Sequence, residues 1–127
     1  MAKLNKILIL IALLGLASPL SAFANSVSFD CKFELYASQD GLQKAKNFNL
    51  KFMMDTVTGK AVIVGNMGMS DVVPFAGEFG ITFIEVLSTG AVQSTTITNK
   101  TGDAVHSRHT LIQGNEIMPS QYYGKCS

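Results

Sequence analysis

An all-β fold, an eight-stranded antiparallel up-and-down barrel, is predicted by three features of this 127-residue chain. Apolar residues from Phe29 onward recur with period two rather than 3.6. Glycine-bearing turns divide that stretch into short segments at nearly even spacing. Cys31 and Cys126, the two cysteines of the chain, stand in the first segment and after the last. Such a meander closes most simply into a barrel, which removes its edges. A two-sheet β-sandwich is the alternative architecture.

Residues 1–24 carry the pattern of a cleaved signal peptide. Lys3 and Lys6 give a positive start, Ile7 to Ala17 is almost wholly apolar, and Ala22-Phe23-Ala24 supplies a small-x-small cleavage site. The apolar run is shorter than the roughly 20 residues that span a bilayer, so the mature form is expected to have no membrane span. Removing 24 residues from 127 leaves 103, one β domain over 25–127. Ten basic residues less Lys3 and Lys6 leave eight against nine acidic ones, a net charge of −1 with histidine neutral. That balance argues against a nucleic-acid partner, which would require a basic face. Export leads to the periplasm or beyond, an oxidising route on which Cys31 and Cys126 are expected to form a disulfide.

The segments follow in order. In Phe29 to Tyr36, the residues Phe29, Cys31, Phe33 and Leu35 share one face and Asp30, Lys32, Glu34 and Tyr36 the other. Ser38-Gln39-Asp40-Gly41 makes a turn, and Leu42 to Lys46 is read as one helical turn. Phe48, Leu50, Phe52 and Met54 then form a second inward row. Lys60 to Val64 is apolar on both faces, and a glycine-rich loop leads to a short strand near Val72 to Phe75. Ile81 to Leu87 and Ala91 to Thr98 read as a hairpin, and Asn99-Lys100-Thr101-Gly102 turns into Ala104 to Ile112. Gln113-Gly114-Asn115 turns into Glu116 to Tyr123, the closing strand.

The polar run Val105-His106-Ser107-Arg108-His109-Thr110 holds both histidines and the single arginine. Alternate strand residues share a face, so His106, Arg108 and Thr110 belong together and His109 lies opposite. His106 and Arg108 are therefore the candidate site for a carboxylate or other anion, which arginine grips bidentately. The competing role is structural: Arg108 paired with Glu85 or Glu116, and His109 hydrogen-bonded inside. Tyr122 and Tyr123 are further ligand-binding candidates, because a tyrosine offers an apolar ring and a polar tip. They point to opposite sides of a strand. Glu85 shares a face with Ile81, Phe83 and Leu87, but its strand is apolar on both faces, so periodicity does not say whether it is buried.

Met67 and Met69 form a Met-x-Met pair in the glycine loop. Thioethers favour Cu(I), so a periplasmic Cu(I) carrier using Met67, Met69 and His106 is the alternative function. Catalytic patterns are thin. Ser107 diverges from both flanking histidines in a strand, and Gly68-Met69-Ser70-Asp71-Val72 lacks the second glycine of a nucleophile elbow. The expectation is a non-enzymatic binding module without a cofactor, taking a protein or a small anion.

Ala104 to Thr110, followed by Pro119-Ser120-Gln121-Tyr122-Tyr123-Gly124 and a closing Cys, resembles small secreted proteins of alphaproteobacteria, which are uncharacterised. In size, barrel form and single disulfide the chain is also similar to periplasmic inhibitors of lysozyme and of metalloproteases. The lysozyme inhibitors place their disulfide near the two chain ends. With their Ser-Ala-Ser-Gly-Ala-Arg-Tyr type of loop, Ala104 to His109 shares only a Ser and an Arg. The likeness implies an inhibitor-like protein binder, by analogy of shape.

Overall fold

Eight strands run in sequence order around one closed, wholly antiparallel barrel, in a computed structural model that describes residues 25–113 and 116–127. The expected signal peptide, and Gly114 and Asn115 of the last expected turn, lie outside the described residues. The strands are β1 (Ser26–Ser38), β2 (Gly41–Asp55), β3 (Ala61–Gly65), β4 (Gly68–Ala76), β5 (Gly80–Val86), β6 (Val92–Thr98), β7 (Asp103–Ile112) and β8 (Glu116–Cys126). β1 pairs with both β2 and β8, so the sheet closes on itself and is a barrel rather than a sandwich. Cys31 faces Cys126 across the β1–β8 seam, and the two are bonded.

The period-two pattern decides what fills the barrel. Cys31 and Phe33, Leu50 and Phe52, Ala61 and Ile63, Val72, Ile81 and Phe83, Ile97, and Ala104 form one buried cluster, with Phe29, Phe48, Met54 and Tyr122 packed against it. Phe52 stacks on Phe83 with ring centroids 4.5 Å apart, and Phe29 meets Phe83 edge-on at 5.8 Å.

Two local expectations are corrected. Between Phe33 and Leu35 the register of β1 shifts against both neighbours. Phe33 faces Phe48 and Gly124, whereas Leu35 faces Lys44 and Tyr123. Glu34 is thus an extra residue opposite β8, and an inserted residue sends every later side chain to the other face. Leu35, expected inside, is 40 % exposed, and Tyr36 turns inward instead. Leu42 to Lys46 is not a helical turn but the first half of β2. Ala45, Lys46 and Asn47 take up the opposite side of the same bulge, with Asn47 at φ 47°, a left-handed conformation that asparagine tolerates better than most residues.

Strand lengths are unequal: β1, β2, β7 and β8 span 13, 15, 10 and 11 residues, while β3, β5 and β6 span 5, 7 and 7. The long strands overhang the barrel at its hairpin end, opposite the disulfide. There β2 before Lys51 has β1 as its only partner, and β7 beyond Arg108 has only β8. Lys44, Lys46 and the bulge blunt the β2 edge against pairing with other chains.

The seam is tight at Gly124, which faces Phe33 and Ala104. A Cβ there would lie 2.7 Å from Phe33 Cα and closer still to the Lys32 carbonyl oxygen. Both obstacles are backbone, which cannot swing away. Gly124→Ala is expected to destabilise the protein by about 2 kcal/mol or more, measured as a lower urea midpoint. An unchanged midpoint would show that the seam has slack.

Candidate functional site: a polar sector of the inner wall

The interior is apolar except on one side. Antiparallel register places Phe83, Thr95, His106 and Tyr122 in one row across β5 to β8. Glu85, Gln93, Arg108 and Ser120 form the next row toward the hairpin end. Thr95 and His106 are the buried polar residues of the core, each 1 % exposed. Arg108, Gln93, Glu85 and Ser120 are half-buried at the rim.

His106 sits among aromatic rings, with centroids 5.6 Å from Phe48, 5.9 Å from Phe33 and 6.0 Å from Tyr122. Its Nδ1 lies 2.6 Å from the Thr95 hydroxyl oxygen. Where that hydroxyl donates, the ring carries its one hydrogen on Nε2. Nε2 is buried and has no partner among the described residues. Burial, and secondarily the charge of Arg108, push the His106 pKa down from 6.5 to about 4. Near neutral pH the imidazole is therefore uncharged.

Arg108 is held differently. Its guanidinium carbon stands 5.9 Å from the Tyr122 ring centroid, within cation–π range. Tyr122 is itself the middle ring of a stack, 4.2 Å from Phe48 and 5.5 Å from Tyr36. Tyr36 donates from its hydroxyl to the Gln43 side-chain oxygen, which anchors the outer end of the stack. Arg108 Nε is buried without an acceptor among the described residues. The ion pairs found among those residues are Lys51–Asp30 and Lys125–Asp103, both on the outer surface. The expected pairing of Arg108 with Glu85 or Glu116 is not formed. Register explains the first: Gln93 stands between Glu85 and Arg108, and strands two apart are separated by roughly 10 Å.

The other candidates lie apart. His109, expected inside in the structural alternative, is exposed and lines a shallow outer groove with Ser107, Pro119 and Gln121. Tyr123 points outward beside Leu35, and its hydroxyl donates to Gln121 Oε1 at 2.9 Å. Met67 is fully exposed at the β3–β4 turn and Met69 is exposed on β4, whereas His106 is sealed inside. The structure does not bring Met67, Met69 and His106 to one place. Glu85 falls on the inner face with Ile81 and Phe83 but is half-buried, near the rim. A groove of about 530 Å³ beside the β2–β3 turn, lined by Met54, Asp55, Ala61 and Val72 among others, is remote from the polar sector in sequence and register.

Sequence reasoning places His106 and Arg108 on one face, and the structure agrees. It misses Thr95, Gln93 and Tyr36. Val92 to Thr98 is polar on both faces, so nothing in it singles out Thr95. Tyr36 reaches the site only because of the bulge. Compared with known proteins, the chain matches no family model, no curated protein and no solved structure. Its class is therefore defined by architecture alone: a closed eight-stranded barrel with a disulfide across its seam and one arginine at its mouth.

Proposed function

We propose that this protein is an exported, non-enzymatic binding module that takes a carboxylate-bearing ligand through Arg108 at the hairpin end of the barrel. One observation carries this reading. Arg108 is a half-buried cation with a buried, unpartnered Nε and no carboxylate in ion-pairing range among the described residues. A cation held partly out of water is costly unless an anion meets it. The Tyr36–Tyr122–Phe48 stack fixes the platform on which the guanidinium lies, so little side-chain freedom remains to be lost on binding.

Binding rather than catalysis fits the histidine. His106, in the row adjacent to Arg108, is neutral, walled by Phe33, Phe48 and Tyr122, and closed to solvent. A general base must reach the proton it removes. Export is supported by the disulfide and by the signal-like residues 1–24.

The test is NMR titration of the oxidised protein with succinate, with chloride as control. The Arg108 Nε–H resonance and the amides of Gln93, Ser120 and Tyr122 are expected to shift. Folded Arg108→Ala is expected to bind at least about tenfold more weakly, as for loss of one charge-assisted contact. Unperturbed Arg108 resonances, or equal affinity in the variant, refute the reading. Capture from secreted proteins on wild-type and Arg108→Ala columns then separates a carboxylate borne by a protein from a free acid.

A further inference from the structure

The rim row Glu85, Gln93, Arg108 and Ser120 holds two opposite charges that do not meet. Directly opposed residues on antiparallel strands project to the same side, so all four side chains stand on the inner face. Glu85 and Arg108 are separated by the one strand that carries Gln93. Neither is in an ion pair among the described residues. The Arg108 guanidinium lies against the Tyr122 ring, on the β8 side and away from β5.

Glu85 finds no cation on its other flank. There Ile84 faces Val73, and the next residue of β4 is the buried Val72. The polar cross-strand neighbour of Glu85 is Gln93. A carboxylate and a guanidinium, each half-buried and each short of a counter-charge, are thus held apart in one row. The row beneath is closed to solvent at Thr95 and His106, so a ligand of this row lies across the mouth of the barrel.

We infer that the ligand of this site is a small amino acid in its zwitterionic form, with its carboxylate on Arg108 and its ammonium on Glu85. This rests on the proposed role of Arg108 and adds the opposite pole. Gln93 suits the space between them: its amide oxygen accepts from an ammonium and its NH2 group donates to a carboxylate. Along the row an acceptor, a group that both accepts and donates, and a donor follow one another, which is the order a zwitterion requires. Other small ions fit worse. A simple carboxylate leaves Glu85 unmatched and brings a like charge near it, and a dicarboxylate brings two. An amine alone leaves Arg108 unmatched. Spacing limits the size. Gln93 is one strand, about 4.8 Å, from each pole, so the two ends of a short molecule reach both.

Titration of the oxidised protein, followed by NMR, compares alanine and γ-aminobutyrate with propionate and butyrate, their counterparts without the ammonium. At least one of the two amino acids is expected to bind at least about tenfold more tightly than its counterpart, as for one added charge-assisted contact. Glu85→Gln keeps the shape and removes the charge. It should erase that advantage while propionate and butyrate bind no more weakly. Asp40→Asn, which removes an exposed carboxylate from the β1–β2 turn, should leave the advantage intact. The wild-type protein gives a readout that needs no substitution: the carboxyl carbon of Glu85 and the side-chain amide of Gln93 should both move with the amino acid. Equal binding of both amino acids and their counterparts, an advantage that survives in folded Glu85→Gln or is lost in Asp40→Asn, or a Glu85 resonance that stays still would each overturn the inference. Where propionate and butyrate still shift the Arg108 Nε–H resonance, the carboxylate reading of Arg108 stands without it. Where no acid of either kind does so, both fall.

Discussion

Reducing the Cys31–Cys126 bond is expected to lower unfolding free energy by about 4 to 5 kcal/mol. The size follows from the 95-residue separation of the two cysteines, which makes the bond a constraint on nearly the whole described chain. In the chain-entropy picture a crosslink acts on the unfolded ensemble, and a longer loop removes more of its freedom. The native state loses little on reduction, because the neighbouring seam contacts persist. Asp30 and Ser127 exchange two backbone hydrogen bonds at 3.1 and 2.9 Å, and Lys32 faces Lys125 beyond them. Urea unfolding with and without a thiol reductant measures the difference. Reduction is the better perturbation than Cys31→Ser, which would add a buried hydroxyl where the side chain is 3 % exposed. A loss below about 1 kcal/mol would mean that the unfolded chain is already compact or that the bond strains the fold.

Acid is expected to weaken the barrel through His106. Its folded pKa is about 4 against 6.5 for an ordinary histidine, so between those values the unfolded chain binds a proton that the folded chain refuses. The stabilisation is fully present above pH 6.5 and is lost as pH falls toward 4, by about 3 kcal/mol in all. Urea midpoints at neutral pH and at pH near 4 give the size of the loss. His106→Asn, which keeps a polar group beside Thr95 but cannot be protonated in this range, should abolish most of the slope while lowering stability at neutral pH. A wild-type slope that survives the substitution would assign the acid sensitivity elsewhere. Asp55 works in a lower window. Its carboxylate accepts hydrogen bonds from the backbone N–H groups of Val57 and Thr58, which hold its pKa below 3.8, so that turn loosens only in stronger acid.

Much of the barrel is legible from residue spacing. The alternation Phe48, Leu50, Phe52 and Met54 survives as an inner row, and the cysteines mark the two strands that meet at the seam. Three features are not legible, each for a physical reason. Alternation continues smoothly through Phe33, Glu34, Leu35 and Tyr36, so a bulge that reverses faces leaves no mark in hydropathy. Leu42 to Lys46 is polar because it is an overhanging edge strand, and polarity there mimics a loop. His106, Arg108 and Thr110 visibly share a face, but its apolar residues, Ala104 and Ile112, are matched by Val105 and Leu111 on the other, so spacing does not reveal which face is the interior. The opposite condition, an apolar excess, leaves Glu85 undecided by sequence, since both faces of its strand are apolar and only closure of the barrel distinguishes them.

The seam also dictates an order of events. Seven of the eight strand pairings join neighbours in sequence, so each can form as a local hairpin. The eighth joins β1 to β8 across most of the chain. Contacts of such separation come at the greatest entropic cost and are slow to form. Until β8 arrives, β1 presents a free hydrogen-bonding edge, the kind of surface that recruits other chains. Oxidation of the two cysteines is then the step that ends this vulnerable interval: once the sulfurs are joined, the first strand is tethered to its distant partner and reopening becomes a local fluctuation rather than a search.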